Sequence, residues 1–281
     1  MIALGPADPR YPARLLDLRH PPDPLWIDGD LGALGGRAVS IVGTRRMTPY
    51  GARVARELAT ALAEADVVVV SGLAQGIDSA GHEGALAAAG ETVAVLGAGI
   101  ASYLEEVHGK RRRLAHAIRG HGALVSEFPP GAPAQHWTFA QRDSTIAALG
   151  EMTVVVEAPV GSGALITTAE ARRLRRPVYA VPGPIGAAAS AGTNDLIAAG
   201  AARALTGAQM LLAALGLRYA TRADDPDDDA RVLDALAASP SDPDALARRL
   251  GLSTTTLAAI VARLVIRGRI GTAADGRLAR R

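Results

Sequence analysis

The chain has no cysteine, which removes disulfides, thiolate metal sites and cysteine nucleophiles from consideration. Lysine is nearly absent as well: Lys110 stands alone, so arginine supplies 29 of the 30 basic residues. Arginine's planar fork suits phosphates and base faces, but a bias spread over the whole chain marks no site. Aromatic residues are scarce, with two Phe, two Trp and five Tyr among 281 residues. No stretch of about 18 apolar residues free of charge is present to cross a bilayer. The opening "MIALGPADPRYPARLL" has neither a basic n-region nor a long apolar core before a cleavage site. These absences lead to the expectation of a soluble, cytoplasmic protein with no membrane partner. A Walker phosphate loop is excluded too, because no Gly-Lys-Ser or Gly-Lys-Thr step occurs anywhere.

What is present suits one large α/β domain plus something small, since 49% of the residues are hydrophobic. The net charge of +2 hides an asymmetry: "ADDPDDDA" at 223–230 holds five aspartates, and without them 30 basic residues face 23 acidic ones. That balance suits a polyanion partner modestly. Short Val-rich runs begin at 39, 67, 92, 123, 153 and 178. Helix-length patterns fill the gaps near 51–65, 76–90, 104–120, 139–150, 164–175 and 193–215. Continuous apolar strands separated by helices predict a doubly wound, mostly parallel, Rossmann-like α/β sheet over residues 37–218. Residues 1–36, rich in Pro, Asp and Gly, read as an opening segment with one short helix and one extended piece, and 219–229 as an acidic linker. The remainder, 230–281, has the grammar of a winged helix. Ser241 or Asp242 caps a helix that Gly251 closes, Ser253 caps the next, and "GRIGTAADGRLA" folds as a two-stranded wing.

Ligands of open α/β sheets sit beyond the carboxyl ends of the strands, at a topological switch point, and four strand-end loops stand out. "SIVGTRRMTPYG" places Gly43, Thr44, Arg45 and Arg46 where amides and a helix N-terminus favour an anion; the alternative is a solvated turn with two incidental arginines. "SGLAQGIDSAGHEGAL" offers Ser71, Gly72 and Gly76 for close approach of a backbone or phosphate. The helix that follows carries Asp78 and His82 on one face, as site groups or as a first-turn carboxylate and a satisfied buried imidazole. No further ligands cluster there, so no metal is expected. "SEFPPGAPAQHWTFAQRDSTIAALG" gathers Phe128, Trp137 and Phe139 near Arg142. Those rings either stack bases of a single strand, at about 1–3 kcal/mol each, or plug the loop into the core. "EAPVGSGALITTAEA" sets Ser162, Gly163 and Thr167 at another helix start suited to phosphate. Catalytic signals are thin. Gly161-Ser162-Gly163 lacks the spacing of a nucleophile elbow, and the strand-end pair Glu127 and Glu157 reads as acid and base or simply as helix caps.

The same blocks, with "TVAVLGAGI", "GALVSEFPPG", "VYAVPGPI" and "SAGTNDLIAAGA", resemble in order and spacing the DNA-processing protein family called DprA or Smf, from about Asp8 to Leu205. The tail resembles the winged helix that many members carry. The resemblance implies a single-stranded DNA binder that protects incoming strands in natural transformation and loads the RecA recombinase, with no cofactor, no catalytic turnover and a homodimer by analogy. On this chain it implies a phosphate pocket of Gly43, Thr44, Arg45 and Arg46, lined by Ser71, Gly72 and Gly76. Arg142 and Phe139 would hold the strand from the far side, and Ser162, Gly163 and Thr167 would complete the rim.

Three departures from the family pattern stand out. The segment usually written Phe-Pro-x-Arg-Asn-Arg reads Phe139-Ala140-Gln141-Arg142-Asp143-Ser144, which predicts weaker, less salt-dependent binding. Glu83 adds a negative charge expected near the rim. Tyr103-Leu104 replaces a usual Tyr-Pro, and Lys110 to Arg113 either restore positive charge or form a solvated helix face. The competing readings are a nucleotide-binding paralogue and a nucleoside-monophosphate phosphoribohydrolase, whose loop and downstream glutamate "VGSGALITTAEA" with Glu170 only partly echoes. The second tail helix exposes chiefly Thr, Ala, Arg263 and Arg267, too few polar groups for reading duplex base edges.

Overall fold

The computed structural model describes residues 1–217, 226–252, 254–273 and 276–280. The chain divides into two compact units, 1–217 and 218–281. In the first, strands β1 (Ile2–Leu4), β2 (Leu25–Gly29), β3 (Ala38–Val42), β4 (Val68–Ser71), β5 (Thr92–Leu96), β6 (Gly122–Ser126), β7 (Met152–Val155), β8 (Val178–Ala180) and β9 (Arg203–Ala204) form one sheet. Its order is β1-β2-β6-β5-β4-β3-β7-β8-β9, parallel from β6 to β9 and antiparallel where β1 and β2 join. Every residue of β3 to β8 is buried, which is why these strands read as unbroken apolar runs. Each enclosed Val or Leu contributes about 1.5–3 kcal/mol.

The helices are α1 (Gly32–Gly35), α2 (Pro49–Glu64), α3 (Ile77–Ala87), α4 (Ile100–Glu106), α5 (Gly109–Gly120), α6 (His136–Leu149), α7 (Ala164–Arg173), α8 (Ala191–Ala198) and α9 (Ala208–Ala214). From β3 the chain winds outward through β4, β5 and β6, then returns to place β7 on the other side of β3. The winding reverses there, so right-handed crossovers send the two sets of helices to opposite faces. The switch point lies at the end of β3, beside the loop holding Arg45 and Arg46.

The structure departs from the sequence reading in several places. The opening 36 residues contribute two strands to the sheet, with Leu4, Leu25 and Ile27 in its core. The pattern at 104–120 is two helices parted at Val107 and His108, and that at 193–215 is α8, β9 and α9. Of the stretch read as acidic linker, residues 219–225 lie outside the described residues, and Pro226 opens a helix.

The second unit is a winged helix: α10 (Pro226–Ala238), α11 (Pro243–Leu250), α12 (Thr254–Ile266) and an antiparallel wing of β10 (Ile270–Thr272) and β11 (Leu278–Arg280). Asp242 caps α11 by accepting the Asp244 amide at 2.9 Å, and Gly251 ends it in the left-handed region at φ 68°. Ser253, the expected cap of α12, is outside the described residues. Leu257, Ile260 and Leu264 seat α12 on the core. The arginines there are already engaged: Arg263 of α12 pairs with Asp229 of α10, and Arg267, just after the helix, lies 3.5 Å from the same carboxylate.

Candidate functional site

Two adjoining clefts open above the switch point, of about 430 and 390 Å³, and share Arg45, Ala74, Phe139 and Arg142. The larger lies against Gly43, Thr44, Arg46, Ser162, Gly163 and Thr167. Four separate loops therefore converge on one space. Gly72 lines the smaller cleft, with Tyr103 and Arg111. Ser71 and Gly76 line neither: both are buried below the surface. Ser71 Oγ donates to the Ile41 carbonyl at 2.6 Å, and Gly76 sits at φ 94° under the loop. A Cβ there would stand 2.3 Å from the Thr44 carbonyl oxygen and 2.8 Å from Arg45 Cα. Gly76→Ala is therefore expected to cost about 1–3 kcal/mol of stability through the strained backbone. Urea unfolding measures that loss.

Arg45 and Arg46 are exposed, and neither has a carboxylate within ion-pair distance among the described residues. The Arg45 guanidinium lies over the Phe139 ring, 5.4 Å from its centre, and Arg142 approaches the same ring at 5.9 Å. Phe139 is half-buried and packs against Gly97, where a Cβ would meet the ring at 2.7 Å. Trp137 does not plug the core: it is 56% exposed and stands edge-on to buried Phe128, with ring centres 5.6 Å apart.

The helix start after β3 is not vacant for an anion. The Glu157 carboxylate accepts the Thr48 amide at 2.9 Å and the Thr48 hydroxyl at 2.5 Å, and Pro49 brings no N–H. Thr44 N donates to the Glu157 carbonyl at 2.7 Å, and Arg46 N to Thr44 Oγ1 at 3.2 Å. Three amides of the loop, those of Thr44, Arg46 and Thr48, are thus engaged within the fold, while the Arg45 and Arg46 side chains remain exposed. Glu127 is likewise engaged, accepting from Thr145 Oγ1 at 2.6 Å and Gln141 Nε2 at 2.8 Å. Both strand-end glutamates therefore anchor helices.

Arg142 takes a different place from the one expected. Only 6% exposed, it donates from Nη1 to the Gly72 carbonyl at 2.6 Å and the Val95 carbonyl at 3.0 Å. Its Nε lies 2.9 Å from Asp143 Oδ1 without the alignment of a directed hydrogen bond, so that contact is ionic. A guanidinium spent in this way pins the ends of β4 and β5 together rather than reaching for a strand. Asp143 and Asp78, both buried, line the larger cleft beside it. Burial pushes the Asp143 carboxyl up to about 6, against the pull of Arg142 and with a further push from Asp78. Burial raises Asp78 as well, and Arg142 opposes it.

Other expectations resolve as structure. His82 is fully buried, with Nδ1 2.7 Å from Thr92 Oγ1. That hydroxyl donates to the Val69 carbonyl, so the imidazole must donate from Nδ1. Burial lowers its pKa to about 3 and keeps it neutral. Glu83 pairs with Arg56 at 2.6 Å and lines neither cleft. Ser144 lines a separate hollow with Glu127 and Glu170, on the other side of α6 from Asp143, so it is not a gap in the rim. From the run Lys110 to Arg113, Arg111 lines the smaller cleft. His136, at the first turn of α6, lines the larger one and went unread in the sequence, where a lone histidine beside a tryptophan carries no pattern.

A family model described as DNA recombination-mediator protein A matches residues 3–216, and one described as DprA winged helix domain matches 218–276. The chain belongs to the DNA recombination-mediator protein A family. A Mycobacterium tuberculosis protein carrying the DprA name is 47% identical over 192 residues, 67% of this chain and 48% of that one. Protein Smf of Escherichia coli is 40% identical over 201 residues, covering 70% and 53%. The chain thus spans about half the length of these curated relatives. Among solved structures, DprA of Helicobacter pylori matches with a TM-score of 0.66 at 27% identity, over 73% of this chain and 92% of that one. That structure is described as showing a single-stranded DNA binding mode. In this family member no helix among the described residues is long and apolar enough to cross a membrane.

Proposed function

We propose that this family member binds single-stranded DNA along the double cleft, protects it, and passes it to a RecA-type recombinase without chemical turnover. One observation carries the reading: two exposed arginines, free of carboxylate partners among the described residues, stand at the switch point beside a half-buried aromatic ring. Phosphates meet Arg45 and Arg46, with Gly43, Thr44, Ser162, Gly163 and Thr167 forming the walls and Phe139 offering its ring to a base. The single-stranded DNA binding mode described for the H. pylori relative supports the same assignment. Self-association of the α/β unit belongs to this reading. The winged helix is auxiliary, because Asp229 of α10 occupies Arg263 of α12 and Arg267 just beyond its end.

The hydrolase alternative loses its carboxylate. Glu170 pairs with Arg173 at 2.8 Å and lines the separate hollow, away from both clefts. Fluorescence titration with labelled dT oligomers at several salt concentrations tests the main reading. Binding is expected to weaken steadily with salt, in proportion to the phosphates neutralised, and a duplex of equal length is expected to compete poorly. Salt-independent or absent binding would contradict it.

A further inference from the structure

Strand binding leaves two acids in the larger cleft unexplained. Asp143, 9% exposed, follows Arg142 on α6; Asp78, 5% exposed, comes from the first turn of α3. Both line the space that Arg45 and Arg46 border. The buried Arg142 guanidinium pairs with Asp143 and attracts Asp78 through space, at the place where a phosphodiester is to arrive. A third anion brought into such a poorly hydrated cluster favours the protonated form of the acid nearest to it.

We propose that occupation of the cleft by a phosphodiester strand is coupled to uptake of a proton by Asp143, so that the site tightens as the pH falls. The inference rests on the cleft being the strand site. Asp143 is the responsive member of the pair because it meets the Arg142 Nε at 2.9 Å and senses Arg45, while Asp78 is enclosed and also accepts the Ala74 amide. Burial by the protein alone already holds the Asp143 carboxyl at about 6. The sign follows. Well above that value the acid is ionised and repels the incoming phosphate; below it the repulsion is gone. A bound phosphate raises the value further, so the complex holds more protons than the free protein, and affinity grows as pH falls through that window. The charged and titratable neighbours are Arg142 and His136 on α6, Arg45 and Arg46 on the loop after β3, and Asp78 on α3. His136 is the histidine lining the same cleft and requires its own control.

Calorimetric titration of the full chain with a dT oligomer, near pH 6.5 in buffers of different ionisation enthalpy, counts the protons exchanged. Uptake of a sizeable fraction of one proton is expected, with affinity rising about sevenfold from pH 8 to 5.5 if binding moves Asp143 from about 6 to about 7. Asp143→Asn is expected to bind more tightly at pH 8, to take up far fewer protons and to show a flattened profile. His136→Gln is expected to keep most of the uptake. Wild-type binding without proton uptake overturns the coupling and leaves the strand site standing. Unchanged uptake in Asp143→Asn, or its loss in His136→Gln, overturns the assignment to Asp143. If neither wild type nor Asp143→Asn binds the oligomer at any pH, the strand site itself fails and the coupling with it.

Discussion

Replacing Arg45 and Arg46 together with alanine is expected to weaken binding of a dT oligomer by about 10- to 100-fold at moderate salt. Each arginine supplies one charge-assisted phosphate contact, which contributes about 1.5–3 kcal/mol when well formed and less at an exposed position. The same change is expected to flatten the plot of log affinity against log salt by about 1.4, because each phosphate contact on a single strand accounts for roughly 0.7 of slope. The two readouts separate electrostatic contact from damage to the fold. Neither side chain carries an ion pair among the described residues, and Arg45 loses its contact with Phe139 and a through-space attraction to Asp143, so stability should change by no more than about 1 kcal/mol. Single variants need not sum to the double, since the arginines are neighbours on one loop. A double variant with wild-type slope would show that the phosphates lie elsewhere.

The second large effect concerns folding. Arg142→Met is expected to cost about 3–5 kcal/mol, because it leaves buried carboxylates beside a lost cation and strips the Gly72 and Val95 carbonyls of their donor. Room is tight as well: a Cβ on Gly72 would stand 1.9 Å from Arg142 Nη1. Arg142→Lys keeps the charge, but a single ammonium cannot serve two carbonyls and a carboxylate along one plane. It should recover only part of the loss. Denaturant unfolding reads both variants, and an unchanged midpoint for Arg142→Met would contradict the pinning role. If the effect has the expected size, a binding defect in any Arg142 variant must be corrected for the folded fraction before it says anything about DNA.

Much of the architecture is legible in the sequence. The runs at 39, 67, 92, 123, 153 and 178 each fall on a strand of the sheet, because strands covered on both faces must be apolar at every position. β1 was not legible as a strand, and β2, read as an extended piece, was not assigned to the sheet. They join the sheet antiparallel at one edge, and Pro, Asp and Gly flank pieces only three and five residues long. β9, two residues long, carries no periodicity to read. The arginine pair and the small-residue loops around it were visible as residue types favouring anions. The sequence also placed Ser71 and Gly76 among the wall residues, yet smallness serves a buried turn as well as an approach path, and only packing distinguishes the two.

By its own pattern, then, the chain dictated a doubly wound sheet with a winged-helix tail, and a turn bearing two guanidinium groups at the reversal of winding. Periodicity and turn chemistry are local properties, and local properties are written residue by residue. Tertiary structure alone decided which charges remain unpaired. Glu157, more than a hundred positions away from Thr48, closes the start of α2, while Arg142 turns inward to bind the β4 and β5 ends and sets Asp143 and Asp78 in the cleft wall. Those partnerships depend on distances across the fold, where burial and Coulomb interaction act and sequence spacing carries no information.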